Sequence, residues 1–227
     1  MRVMVLVLWC LVSASPALAG AWLRKTGETF LSTGADISIR TDAVTRRDAA
    51  RLYVEHGLHP HLTLGADLFA TAQGAQMDGG HGIVFLRSSI FRAQSRVALS
   101  VSAGMGLRAS LTGTHTLHRI GIAAGVPFRK THHSGWASAE AIFEHQTGKP
   151  GLTRKIDATF GLTFSPQWQG VVDLSLQRDG SGYNGMEIAP RAVFRANAST
   201  RLVFGLKAAR AGNIRTRALS FDIWRSF

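Results

Sequence analysis

Apolar and polar residues alternate along most of this chain with a period of two, the spacing at which successive side chains fall on opposite faces of a β-strand. The clearest case is RVALSVSAGMGLR: Val97, Leu99, Val101, Ala103, Met105 and Leu107 share one face, and Ala98, Ser100, Ser102, Gly104, Gly106 and Arg108 share the other. One side is oily; the other is small or polar. LTLGADLFA sets Leu62, Leu64, Ala66 and Leu68 against Thr63, Gly65, Asp67 and Phe69, and KIDATFGLTF sets Ile156, Ala158, Phe160, Leu162 and Phe164 against Lys155, Asp157, Thr159, Gly161 and Thr163. Noisier segments of the same kind fall near residues 29–40, 48–57, 83–90, 117–126, 135–145, 169–178, 186–195, 200–210 and 214–227. The expected fold is therefore all-β, with about twelve strands (roughly ten to fourteen) and no segment of sustained helical period.

The connections come in two alternating sorts. Short ones are expected at LHPH (58–61), FRAQS (91–95), SPQW (165–168) and ANAS (196–199), with a slightly longer one at PFRKTHHS (127–134). Longer, Gly-rich or polar ones are expected at 41–47, 72–82, 109–116, 146–154 and 178–185. An up-and-down antiparallel barrel crossing a membrane has one rim of short turns and one of longer loops, and termini on the same rim require an even number of strands.

Compartment comes from the N-terminus. Residues 1–19 have a basic start at Arg2, an apolar run from Val3 to Val12, and Ala17-Leu18-Ala19 in the small-x-small pattern of a signal-peptidase site. The run is too short for a membrane-spanning helix. Residues 1–19 are read as a cleaved signal peptide and 20–227 as one β-barrel domain. The lone cysteine, Cys10, lies in the leader, so the exported part uses no disulfide; a chain of this length can bury enough surface without one.

Composition then separates a membrane barrel from a soluble one. Charged residues are only 18% of the chain, and the polar faces carry Gly, Ser, Ala and isolated charges rather than the Lys and Glu that dress a soluble surface. The oily faces hold more large side chains than one enclosed core would. An inside-out barrel, with lipid on the oily face and a polar lumen, meets both conditions. A soluble periplasmic sandwich or lipocalin-like binding barrel is the alternative. The net charge is +12, and for an exported protein the anionic partner is a membrane surface or lipopolysaccharide phosphate rather than nucleic acid.

The C-terminal stretch SFDIWRSF resembles the last strand of Gram-negative outer-membrane β-barrels, which typically ends in Phe with apolar residues alternating upstream. GAWLRKTGETFLS and LYVEHGLHPHLTLGADLF are similar to uncharacterised proteobacterial barrels of that class, where an acidic residue precedes a short Gly-containing turn. The resemblance implies an outer-membrane location, contact with outer-membrane lipid and lipopolysaccharide, and a C-terminal assembly signal for the barrel-assembly machinery at Leu219, Phe221, Ile223 and Phe227; Arg225 departs from the pattern.

If the oily residues face lipid, alternation sends Glu55, Asp67, Arg87, Arg108, Arg119, Glu140, Glu144, Lys155, Asp157, Asp173, Glu187, Arg191 and Lys207 into the lumen. Charges held out of bulk water must pair, so the lumen is expected to be either a closed set of ion pairs or a narrow passage. The functional expectation is a small-solute channel or a structural envelope protein. Arg46, Arg47, Arg51, Lys149, Arg154, Arg178, Arg210, Arg215 and Arg217 are expected at the rim, within reach of lipopolysaccharide phosphates. The alternative function is a lipid-modifying barrel enzyme, for which EHQTGKPG offers His145 and Thr147 on the outward face of the seventh strand, with Thr where a hydrolase needs a Ser nucleophile. No catalytic residue, cofactor or metal site is assigned. His56, His59, His61, His132 and His133 fall in two non-adjacent turns and make a weak ligand set.

Overall fold

A computed structural model describes residues 20–41, 47–74, 76–90, 97–111, 113–130, 133–149, 151–182 and 184–227. The expected signal peptide, Arg46, His132 and the FRAQS turn lie outside the described residues. Twelve antiparallel strands run in order around a closed barrel: β1 (Thr29–Thr41), β2 (Asp48–His59), β3 (Leu62–Gln73), β4 (Gln76–Ser89), β5 (Ala98–Ser110), β6 (Gly113–Lys130), β7 (His133–Gln146), β8 (Thr153–Thr163), β9 (Trp168–Arg178), β10 (Asn184–Arg195), β11 (Thr200–Ala211) and β12 (Ile214–Ser226). β12 closes on β1 in the register Phe30↔Ser226, Ala35↔Phe221 and Ile37↔Leu219. Past the last strand, Phe227 N–H donates to the Thr29 carbonyl at 3.0 Å, and the Phe227 carbonyl accepts from Thr29 N–H at 2.8 Å. No sheet edge is left open, which removes the unpaired backbone groups that an apolar surround cannot satisfy.

The alternation reads directly onto the two faces. Along β4, Val84 is 55% exposed and Leu86 is 47%, whereas Ile83 and Phe85, which alternate with them, are 1% and 5%. Val101, Met105 and Leu107 on β5, Ile120 and Ile122 on β6, Phe204 and Leu206 on β11, and Phe221 and Ile223 on β12 also point outward. The exterior is thus a continuous apolar belt, as a lipid-facing barrel requires. Among the described residues no helix is long and apolar enough to cross a membrane; strands do the crossing.

Two of the expected long connections are instead strand. β4 begins at Gln76 and β6 at Gly113, so residues 76–82 and 113–116 belong to hairpins with tight turns. In β4 the cause is the run Gly79, Gly80 and Gly82, which offers no apolar side chain to mark alternation. The backbone ladder nonetheless continues, through a bulge opposite Thr71 and Ala72, to Gln73↔Gln76. On the other side β4 pairs with β5 from Gly79↔Ser110 onward.

Inside, near the rim that carries the termini, the barrel has an apolar core of its own: Trp136, Val171, Val193 and Val203, with Trp22 and Trp224 packed against it. Trp136 lies over Gly161, directly across from it on β8, where a Cβ would collide with the indole. Phe85 fills the space above Gly65 in the same way. Lumenal glycines on one strand therefore seat aromatic rings from the next.

Candidate functional site in the barrel lumen

Every charge that alternation assigned to the lumen lies on the interior side and forms at least one ion pair. Several of these pairs join strands that are not neighbours, a geometry available only across the inside of the barrel. Three groups can be distinguished.

The first group anchors the segment before β1. Residues 20–28 do not hang below the barrel; they fold up into it. Thr26 pairs in parallel with Gly57, and Gly27 N–H donates to the Gly57 carbonyl at 2.8 Å. Arg24, 5% exposed, donates from its backbone N–H to Thr63 Oγ1 at 3.0 Å and from Nε to Glu55 Oε2 at 2.6 Å. The second Glu55 oxygen accepts from Arg87 Nη1 and, at 2.7 Å, from the Tyr53 hydroxyl. Glu55, 1% exposed, is thus saturated by two guanidiniums and a phenol. Arg87 also approaches Glu140 on β7, at 3.7 Å. Beyond Arg24, Trp22 and Ala21 pack beside Gly125 on β6, and the Gly20 carbonyl accepts from Ser100 Oγ on β5 at 3.1 Å. The segment therefore crosses the lumen from the β1–β3 wall to the β5–β7 wall.

The second group spans β1, β2 and β9–β12. Arg51 donates to Asp36 at 2.6 Å, to Asp222 at 3.1 Å and to Ser220 at 2.9 Å. Lys207 bridges Asp36 at 2.7 Å and Glu187 at 3.0 Å, and Arg191 meets Asp173 at 3.1 Å and Asp222 at 3.8 Å. The third group lies on β3–β8. Arg119 bridges Asp67 and Glu144, each at 2.7 Å; Arg108 adds a second donor to Glu144 at 2.8 Å. His81 sits 3.3 Å from Asp67 with its ring stacked on Phe69, and Lys155 pairs with Asp157 at 2.8 Å.

Arg51 corrects the sequence reading, which put it at the rim: residues 51, 53 and 55 share the inward face of β2, so its guanidinium lies in the lumen. Asp36, Asp222, Tyr53 and Arg24 were not singled out. Asp36 and Asp222 sit between outward residues (Ile37; Phe221 and Ile223), so alternation could have found them; Arg24 precedes every strand and carries no periodic signal. The remaining described rim cations are exposed as expected, with Arg47 pairing to Asp78 at 2.5 Å. Leu219, Phe221, Ile223 and Phe227 share the outward face of the closing strand, and Arg225 shares it too, its guanidinium 5.4 Å from the Phe227 ring.

His145 points outward beside His118, its partner across β6–β7. Thr147, however, accepts from Thr116 N–H at 3.0 Å and donates to the Thr116 carbonyl at 3.4 Å, so its hydroxyl is engaged away from the imidazole. His56 bonds Thr29 Oγ1 at 2.8 Å and His61 bonds Ser89 Oγ at 3.1 Å. Among the described residues no group of three or more His, Cys, Asp or Glu side chains is placed to hold a metal ion.

An oily exterior around a charge-paired, polar interior defines the class: a closed, membrane-spanning β-barrel of twelve antiparallel strands. Among solved structures, the fold is similar to an outer-membrane channel from Pseudomonas putida F1, with a TM-score of 0.60 and 9% identity over 92% of this chain and 99% of that one. It is likewise similar to the KdgM porin, with a TM-score of 0.59 and 10% identity over 87% and 99%, and to the NanC porin, with a TM-score of 0.58 and 10% identity over 86% and 98%. At such identities the likeness is one of fold. No family profile matches the chain, and no curated protein sequence matches it significantly.

Proposed function

We propose that the protein is an outer-membrane channel for small polar solutes, exported by the leader at residues 1–19, with a passage limited by its own N-terminal segment. The observation that carries this reading is the lumen: a polar interior, enclosed by a lipid-facing wall, that is crossed near one rim by residues 20–28 rather than filled by them along its length. The fold it shares with the porins supports the reading. Carboxylates and cations line the interior in similar numbers and neutralise one another, so discrimination between small anions and cations is weak.

Reconstituted liposomes loaded with a non-permeant polymer test this. They are expected to swell slowly in a pentose solution with the unaltered protein, and faster once Arg24 and Trp22 are both replaced by Ala. Folded barrels that leave the liposomes unswollen in both forms would reduce the protein to a structural role.

A further inference from the structure

The outer wall opposite the chain termini carries a second charged feature. Arg154 on β8 and Arg178 on β9 stand directly across from one another, as do Arg210 on β11 and Arg215 on β12. All four share the outward parity of the lipid-facing residues on their strands and are exposed. Like charges directly opposite across a ladder repel. The carboxylates of the wall from β8 to β12, Asp157, Asp173, Glu187 and Asp222, all face inward, where they are taken by lumenal cations. Among the described residues, none of the four arginines forms an ion pair with a carboxylate. Arg210 spends its Nε on the Gly212 carbonyl at 3.0 Å, which fixes the side chain along the wall.

Arg154, Arg178 and Arg210 line one cleft of about 600 Å³, and its floor is built from Ile156, Leu176 and Met186. Guanidiniums at the head and apolar side chains running toward the middle of the bilayer are the complement of an amphiphile with an anionic headgroup. We infer that this cleft between β8 and β11 binds the phosphate headgroup of a membrane lipid, with an acyl chain laid over Ile156, Leu176 and Met186. The bound phosphate offsets the Arg154–Arg178 repulsion by accepting from both. The inference rests on the barrel standing in a phosphorylated leaflet with this rim outward.

Diphosphoryl lipid A and phosphatidylcholine are the probes, and lipid retained by the purified, folded full chain is read by native mass spectrometry. Heat-modifiable electrophoretic migration on the same samples reports folding and insertion, so failure of the barrel reading is distinguished from failure of the site. Lipid A is expected to be retained over phosphatidylcholine, with retention falling about tenfold in the Arg154→Gln, Arg178→Gln double variant. It should persist in the corresponding double Lys variant and resist millimolar inorganic phosphate. Equal retention of both lipids, unchanged retention in the Gln variant, or displacement by inorganic phosphate would each overturn the inference.

Discussion

Glu55 is the residue on which the lumen most depends. It is buried, accepts from Arg24, Arg87 and Tyr53, and ties the N-terminal segment to β2 and β4 at one point. Replacing one partner of a buried pair leaves the other charge uncompensated, at about 3–5 kcal/mol. Glu55→Gln is therefore expected to lower unfolding stability in lipid by about that amount, read by urea titration of tryptophan fluorescence. The Gly161–Trp136 contact belongs to the same scale. A methyl group at 161 would occupy space the indole fills, and overpacking of this kind costs about 1–3 kcal/mol, so Gly161→Ala should lower the urea midpoint measurably, with no change in the lipid-facing surface. Most lumenal charges could be read from the sequence because parity alone decides whether a strand residue points in or out. Which charge meets which could not: Arg87 and Glu140, or Asp67 and Arg119, lie on strands made close only by closure of the barrel, and nothing local encodes that approach.

Among the elements, the strands were legible and the segment before them was not. Period-2 alternation placed each strand, but the start of β4 was lost where Gly79, Gly80 and Gly82 silence the pattern while the ladder continues. Residues 20–28 contain too few positions for any period to emerge, and their place in the lumen depends on distant partners: Gly57, Thr63 and Ser100. The closing element, β12, is different in kind. Leu219, Phe221, Ile223 and Phe227, the residues for which the sequence resemblance implies an assembly role, face outward on it, and Phe227 extends the closing ladder by two backbone hydrogen bonds to Thr29. Deleting Phe227 removes both bonds and the terminal aromatic, and is expected to reduce the amount of heat-modifiable barrel recovered from the outer-membrane fraction. Undiminished recovery would detach assembly from this residue.

For the whole molecule, closure into a barrel solves two problems together. It satisfies the backbone polar groups that lipid cannot, and it creates an interior in which opposite charges from non-adjacent strands neutralise one another. Lipid covers the oily wall, so the apolar cluster around Trp136 and the N-terminal segment are free to act as a local closure rather than as the core that holds the fold together. Removal of that segment should therefore open the lumen and leave the barrel intact. Planar-bilayer recording tests this most directly, comparing the unaltered protein with a variant lacking Ala21–Lys25. The unaltered barrel is expected to open rarely and briefly, and the shortened barrel to conduct in discrete, lasting steps with little preference between small anions and cations. Equal conductance in the two, or a folded shortened barrel that stays silent, would contradict the account.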